Sequence, residues 1–305
     1  MIQSFIRPTY HALRQSTVLW QCINAPARLR YLRQRPPLCG KEENLVRALS
    51  EDGIAIGRTQ DLFPSEVLQE LTADAGHRWM APDVQREAAA IKIASGPRGR
   101  KDQFLVDLWR QGRTLDLTSP FHLLSVSDPV LSVVNTYLGM FAKFRDFALQ
   151  ATIPVPVGMA PFSSQRWHAD PDDRRMVKVF LYLNDVDTAA GPFTYIRSSH
   201  AGGKWRELFG YDPAKGRHPD PEFIRRHIPP QDLLVATGGA GTLIFCDTSG
   251  IHRGGYATGT ERLMYTSVYT TRASALPRRY AVSGTAERAA AAFSPAARYA
   301  ISTAL

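Results

Sequence analysis

The sequence predicts a mainly β fold with flanking helices (α+β), built as an antiparallel sandwich or barrel. Three observations predict it. From about residue 90 onward, short apolar runs recur between Gly, Pro, Asp and Asn turns. Helical patterning dominates before about residue 76 and returns over 129–138 and after Gly284. In the run 176–186, Val177, Val179, Leu181 and Leu183 alternate with Lys178, Phe180 and Tyr182. Both faces of that run are largely apolar, as expected of a strand packed on both sides.

The elements follow in order. Residues 1–35 read as helix, broken near Pro26 and ended by Pro36-Pro37. Residues 42–50 form a second helix, Asp52-Gly53 a turn, and 54–56 a short strand. A further helix starts at Phe63-Pro64-Ser65-Glu66, with Ser65 as N-cap, and runs to about Gly76 with Val67, Leu68 and Leu71 on its apolar face. Residues 91–94 and 104–108 are candidate strands, and 129–138 resembles a helix. Strands are then expected over 144–155, 175–186, 192–197, 233–236, 242–246 and 262–269. Residues 201–232, with Trp205, Phe209, Tyr211 and several prolines, interrupt them as a lid-like insertion. The resulting division is a basic helical arm over 1–41, a β domain over 42–283, and an alanine-rich tail over 284–305 in which Pro295 acts as a breaker.

Charge and cysteine content narrow the function classes. The net charge of +9 resides at the two ends: residues 1–41 hold seven Lys/Arg and no acid, and residues 262–305 hold six against Glu287 alone. The body between them is slightly acidic, which argues against nucleic acid as a partner. For the basic arm, three readings stay open: a solvated helix face, a contact with an anionic surface, or an Arg-rich transit segment. No run reaches the roughly 18 apolar residues of a transmembrane helix. Three scattered cysteines, Cys22, Cys39 and Cys246, offer no CxxC pair and suit a reducing compartment, cytoplasmic or organellar.

The chemistry concentrates in Trp167-His168-Ala169-Asp170. In an extended segment, positions i and i+2 share a face, so His168 and Asp170 can point the same way. Gly250-Ile251-His252 can supply a third ligand. Two histidines and one carboxylate form the facial set of non-haem Fe(II) oxygenases, which leaves coordination positions open for cosubstrate and O₂. A structural zinc site closes its shell with a fourth ligand instead. Ten residues on, Arg262 begins a strand and shares its face with Met264, Thr266 and Val268. A cation there needs an anion. Its forked donors match a carboxylate. The far carboxylate of 2-oxoglutarate is one candidate, and a structural ion pair with Asp or Glu is the other. Gln150, Thr152 and Lys178 are further candidates for the cosubstrate's near carboxylate or for substrate. Trp167 either walls the pocket or belongs to the core. Asp172, Asp173, Arg174 and Arg175 read as a charged turn with local ion pairs. Asp247 reads as a turn residue or as a group orienting a ligand imidazole.

These blocks, in this order, resemble the phytanoyl-CoA dioxygenase-like Fe(II)/2-oxoglutarate oxygenases. The resemblance spans roughly residues 43–272. It runs through His168-Ala-Asp170, Val179-Phe-Leu-Tyr-Leu-Asn-Asp-Val-Asp187, Gly191-Pro-Phe193, Arg197-Ser-Ser-His200, Gly241-Thr-Leu-Ile-Phe-Cys-Asp247, His252-Arg-Gly-Gly255 and Arg262. It implies a double-stranded β-helix (jelly-roll or cupin-like) core. It also implies iron on His168, Asp170 and His252, and 2-oxoglutarate on Arg262. The implied activity is hydroxylation of a small or lipid-like molecule with release of succinate and CO₂. Asp170 stands where related halogenases carry a small residue, which favours oxygenation. Arg197-Ser198-Ser199-His200 departs from the family's Pro-Gly-Ser-His, and His200 reads as a turn residue rather than a ligand. Desaturation, ring formation or epimerisation at the same site stay open, as do a non-catalytic binding barrel and a zinc hydrolase.

Overall fold

The computed structural model describes residues 16–94, 99–110, 112–156, 158–210, 217–274 and 277–302. The first part of the helix expected over 1–35 therefore lies outside the described residues.

Period-two alternation decides how the main sheet is layered. Six strands pair antiparallel in the order β1-β8-β5-β10-β4-β2. They are β1 (Ile54–Arg58), β2 (Leu105–Asp107), β4 (Lys143–Thr152), β5 (Met176–Tyr182), β8 (Thr242–Cys246) and β10 (Arg262–Thr270). One face carries Phe147, Leu149, Val177, Val179, Leu181, Leu243, Phe245 and Tyr265, which join the large helical core. The helices packed there include α2 (Gly40–Asp52), α3 (Ser65–Trp79), α4 (Pro82–Ile93), α5 (Pro120–Val126) and α6 (Asp128–Leu138). The other face turns toward a second antiparallel sheet of β6 (Phe193–Ile196), β7 (Leu233–Ala236) and β9 (His252–Arg253), ordered β7-β6-β9. Ile54, Phe180, Tyr182, Phe193, Tyr195, Ala236 and Ile244 close one end of the space between the sheets. The rest of that space is the cleft described below. A small parallel pair, β3 (Thr114–Leu115) with β11 (Ala281–Val282), lies to the side. Helices packed on one face of a sheet and a second sheet on the other explain why β5 is apolar on both sides.

Several local expectations are corrected. Residues 91–94, expected as a strand, are the end of α4. Val84, Ala88 and Ile91 recur at helical spacing and are buried. The β-branched pair Ile91 and Ile93 masks that period. Pro26 does not break the first helix, α1 (Thr17–Gln34). Its exposed position costs one backbone bond, while Trp20, Asn24, Ala27 and Tyr31 hold the opposite face against the body. Ser65 is not the cap of α3. Pro64 occupies that position, the Ser65 hydroxyl bonds Glu66, and the helix runs past Gly76 to Trp79. Pro295 opens a helix, α7 (Pro295–Ile301), rather than ending one; Ser294 caps it by accepting from Ala297 N at 3.2 Å.

The first and last helices among the described residues pack on the body. Asp173, expected in an exposed charged turn, is buried. It accepts from Trp20 Nε1 (2.8 Å), Thr271 N (2.7 Å) and Thr271 Oγ1 (2.7 Å). The carboxylate thus ties α1 to the end of β10. Burial raises its pKa and the donors around it oppose that rise. Arg175 also leaves the turn: it donates to Tyr137 O at 3.1 Å and lies 4.4 Å from the Tyr137 ring centre. At the other end, Ala297, Ala300 and Ile301 of α7 enter the large core.

Candidate metal centre and its cleft

Backbone pairing brings the three candidate ligands together. His168 and His252 exchange both backbone hydrogen bonds, at 2.9 and 2.8 Å, as a directly opposed antiparallel pair. Asp170 N donates to Thr248 O at 2.8 Å, fixing the third residue to the loop that leads into β9. His168 and Asp170 sit in an extended bridge segment rather than a full strand, and the i, i+2 relation still holds there. The two imidazole centres lie 4.2 Å apart. His168 Nε2 is 3.9 Å from Asp170 Oδ1, and His252 Nε2 is 3.7 Å from Asp170 Oδ2. One ligand atom from each of the three lies within 4.8 Å of the others. That spacing suits three donors converging on one ion.

Hydrogen bonds select the ligand nitrogens. His168 Nδ1 lies 2.9 Å from Arg166 O, and His252 Nδ1 lies 3.0 Å from Gly250 O. A carbonyl only accepts, so each Nδ1 carries the proton and each Nε2 lone pair faces Asp170. Burial lowers both pKa values. His252 falls to about 3, with the neighbouring His168 adding to the effect of burial. Both rings are therefore neutral at ordinary pH and able to ligate. For Asp170, burial alone would raise the pKa. Lys178, His252 and His168 outweigh it and hold the carboxyl below the usual range. Lys178 Nζ stands 2.7 Å from Asp170 Oδ2. Asp247 does not orient a ligand; it accepts from Tyr137 Oη (2.6 Å) and Ser249 N (2.9 Å). That orienting role falls to the backbone carbonyls of Arg166 and Gly250.

The triad opens into a cleft of about 340 Å³ between the two sheets. The cleft face of the main sheet forms rungs, read from the strand register. Arg262 pairs with Thr152. Met264 lies between Gln150 and Tyr182, Thr266 between Ala148 and Phe180, and Val268 between Asp146 and Lys178. Of the residues singled out by sequence, His168, Asp170, His252, Gln150, Thr152, Lys178 and Arg262 all line this space. Trp167 does not. It packs with Ala169, Ile196, Phe209, Ile224 and Ile251 under the insertion, with Arg253 4.5 Å from its ring centre. His200 is buried in the turn after β6, outside the lining.

Arg262 is 3% exposed, and among the described residues no carboxylate lies within ion-pair distance of it. Its Nη2 reaches Thr152 Oγ1 at 3.2 Å, and its Nε and Nη1 have no hydrogen-bond partner. The structural ion pair considered from sequence is therefore absent there. Space beside the guanidinium is kept by two glycines. A Cβ on Gly254 would lie 3.8 Å from Nη1, and one on Gly255 would lie 3.7 Å from Nη2 and 2.9 Å from Phe104. Gly255 also has φ +87°, a conformation other residues rarely adopt. An orphaned fork beside open space is the arrangement a small carboxylate fits.

Sequence reading missed Lys101, Arg113, Asp146, Phe180, Phe193 and Arg279, which also line the cleft. Strand parity could have found Asp146, because it shares a face with Ala148, Gln150 and Thr152. The insertion touches the centre directly. Ala169 N donates to Arg217 O at 3.0 Å, and the His218 ring lies 6.1 Å from the His168 ring.

No family model matches the chain, and no curated protein does. Solved structures do share its fold. One is the non-heme alpha ketoglutarate dependent epimerase SnoN from nogalamycin biosynthesis. It is 18% identical over 75% of this chain and 80% of that one, with a TM-score of 0.50. Another is AviO1 from Streptomyces viridochromogenes Tue57, 14% identical over 79% of this chain and 100% of that one, with a TM-score of 0.50. At such identities the likeness is one of fold.

Proposed function

We propose that the chain is an Fe(II)/2-oxoglutarate-dependent oxygenase acting on a small molecule. His168, Asp170 and His252 would hold the iron, and Arg262 the far carboxylate of 2-oxoglutarate. One observation carries this reading: a buried guanidinium with no carboxylate partner lines the same cleft as an open two-histidine, one-carboxylate set. A hydrolase centre alone would not explain the guanidinium. The fold is one that SnoN, described as alpha ketoglutarate dependent, also uses. The order of motifs supports a phytanoyl-CoA dioxygenase-like enzyme on a double-stranded β-helix core.

Bound there, iron with 2-oxoglutarate and O₂ supplies oxidative C–H chemistry, with succinate and CO₂ as coproducts. The protein's own residues have separable tasks. The neutral imidazoles present Nε2, because the carbonyls of Arg166 and Gly250 hold the Nδ1 protons. Lys178 keeps Asp170 anionic. Thr152 holds one arm of Arg262, and Gln150 stands one rung further along for the cosubstrate's near carboxylate. Phe180 and Phe193, 4.7 Å apart, exclude water from one wall. Arg217, from the 201–232 segment, accepts from Ala169 N and so braces the segment between His168 and Asp170. Hydroxylation is the proposed outcome, since Asp170 leaves no halide position.

The test is anaerobic titration of Fe(II) and 2-oxoglutarate into the purified chain. A weak visible charge-transfer band is expected, together with O₂-dependent succinate release. His168→Ala should abolish both. An inert wild-type chain, with neither iron nor 2-oxoglutarate bound, would sink the reading. With a turned-over substrate, product mass separates hydroxylation from desaturation or epimerisation.

A further inference from the structure

The cleft has two cationic ends, and one cosubstrate cannot serve both. Arg262 marks one end. The other is the rung of Asp146, Val268 and Lys178, six residues along β10. At 3.4 Å per residue the two are roughly 20 Å apart along the strand. A five-carbon diacid reaches about as far as two extended residues, roughly 7 Å. Such a diacid spans about a third of that length, so it cannot contact Arg262 and the Asp146 end together.

That far end carries more positive charge than its neighbours neutralise. Lys178 is committed to Asp170. Lys101, Arg113 and Arg279 line the same mouth, where Arg113 and Arg279 share a single carboxylate, Asp146. Arg113 Nη1 is 2.5 Å from Asp146 Oδ1, and Arg279 Nη1 is 3.5 Å from Asp146 Oδ2. The Lys101 ammonium has no ion-pair or hydrogen-bond partner among the described residues, and the charges of Lys178, Arg279, Asp170 and Asp172 surround it. The adjoining groove adds Arg145 and Asp172, whose charges offset each other. Between that rung and Arg262 the cleft face carries the apolar side chains of Val268, Phe180 and Met264, with Thr266 and Gln150 among them.

We propose that the mouth formed by Lys101, Arg113 and Arg279 binds an anionic group of the substrate, a carboxylate or a phosphate, with the substrate's apolar skeleton lying inward toward the metal centre. The word substrate rests on the oxygenase reading above; the anion site rests on the mouth alone. Such a site selects amphipathic anions and rejects neutral or cationic molecules of the same shape.

The test is calorimetric titration of the full chain, loaded anaerobically with Fe(II) and 2-oxoglutarate, with octyl phosphate, octanoate and octanol. Either anion should bind at least about tenfold more tightly than octanol; the tighter of the two identifies the group as phosphate or carboxylate. The variant Lys101→Ala/Arg279→Ala removes exposed side chains only, and circular dichroism checks that it folds. It should weaken the anion about tenfold or more, with 2-oxoglutarate binding unchanged. Equal binding of octanol and both anions overturns the proposal. So does a double variant that loses 2-oxoglutarate as much as the octyl anion, since the mouth would then belong to the cosubstrate site. No metal ligand is in the cluster, so the same titration on metal-free chain reads it independently. Wild-type chain that binds the anion but not 2-oxoglutarate refutes the oxygenase reading and leaves the anion site standing.

Discussion

Replacing Arg262 by Met should move stability and cosubstrate affinity in opposite directions. The guanidinium is 3% exposed, has one hydrogen bond at 3.2 Å to Thr152, and has two nitrogens without partners. Burial lowers its pKa, with Tyr182 opposing. Removing the side chain's charge forfeits about 1 kcal/mol of hydrogen bonding. It also relieves the several kcal/mol that an unpaired buried ion costs. Methionine fills the stem's volume and has no charge to desolvate. The metal-free variant should therefore be as stable as wild type or more so, by about 1–3 kcal/mol. In a chain of this size that is a rise of a few degrees, at about 2 °C per kcal/mol.

The same change removes the partner of a buried carboxylate in the loaded state. Losses there are about 2–5 kcal/mol, or roughly 30- to several-thousand-fold in affinity. Differential scanning fluorimetry with and without Mn(II) and 2-oxoglutarate reads both effects. Wild type should gain stability from 2-oxoglutarate and Arg262→Met should gain almost none. Metal-induced stabilisation should persist in the variant, because the three ligands are untouched. If Arg262→Met lowers the metal-free midpoint by many degrees and keeps its full response to 2-oxoglutarate, Arg262 is a structural residue and the cosubstrate assignment fails.

Three further outcomes are expected. Lys178→Met strips Asp170 of its nearest cation, so the metal-free chain should lose about 2–4 kcal/mol while its stabilisation by Mn(II) grows; an unchanged metal response would show that Lys178 and the ion do not share the carboxylate. Asp173→Ala leaves Trp20 Nε1 and both Thr271 donors without an acceptor; it should cost about 3 kcal/mol or more and expose α1 to limited proteolysis first, and equal protease resistance would refute the tie. His122 is buried and its pKa is lowered to about 4, chiefly by burial. Below the unfolded value near 6.5 the unfolded chain takes up the proton first, so stability falls as pH drops from about 6.5 through 4, by up to about 3 kcal/mol. Urea midpoints for His122→Phe should fall less steeply across that window, and parallel acid limbs would exclude His122 as the cause.

The main-sheet strands were legible because burial on both sides leaves an alternating record. In β5 the odd positions meet helices and the even positions meet the cleft, and the residue types differ accordingly. The triad was legible for a related reason. His168 and Asp170 are two apart in an extended segment, and Arg262 is a cation on an otherwise uncharged strand face. What local pattern could not show depended on distant partners. Asp173 reads as a turn acid until Trp20 and Thr271, from opposite ends of the chain, close over it. Residues 91–94 read as a strand because two isoleucines outweigh a helical period that begins at Val84. Trp167 beside the candidate ligand His168 reads equally as a pocket wall or a core residue; adjacent extended positions face opposite ways, and the same parity that turns His168 inward turns Trp167 outward.

That parity also explains why the chemistry was easier to read than its target. The proposed iron and cosubstrate residues lie on segments whose pairing fixes them within a rung or two of one another, so their spacing in sequence carries their geometry. The mouth is assembled differently. Lys101 comes from a single turn of 3-10 helix before β2, Arg113 from the residue before β3, and Arg279 from the segment before β11. No strand register relates the first to the others, and each alone resembles a solvated surface cation. Their joint excess over Asp146 appears only when the sheet edges bring them to one opening. On the proposed reading, substrate selection can thus change by substitution at three exposed positions, none of which is a candidate metal ligand.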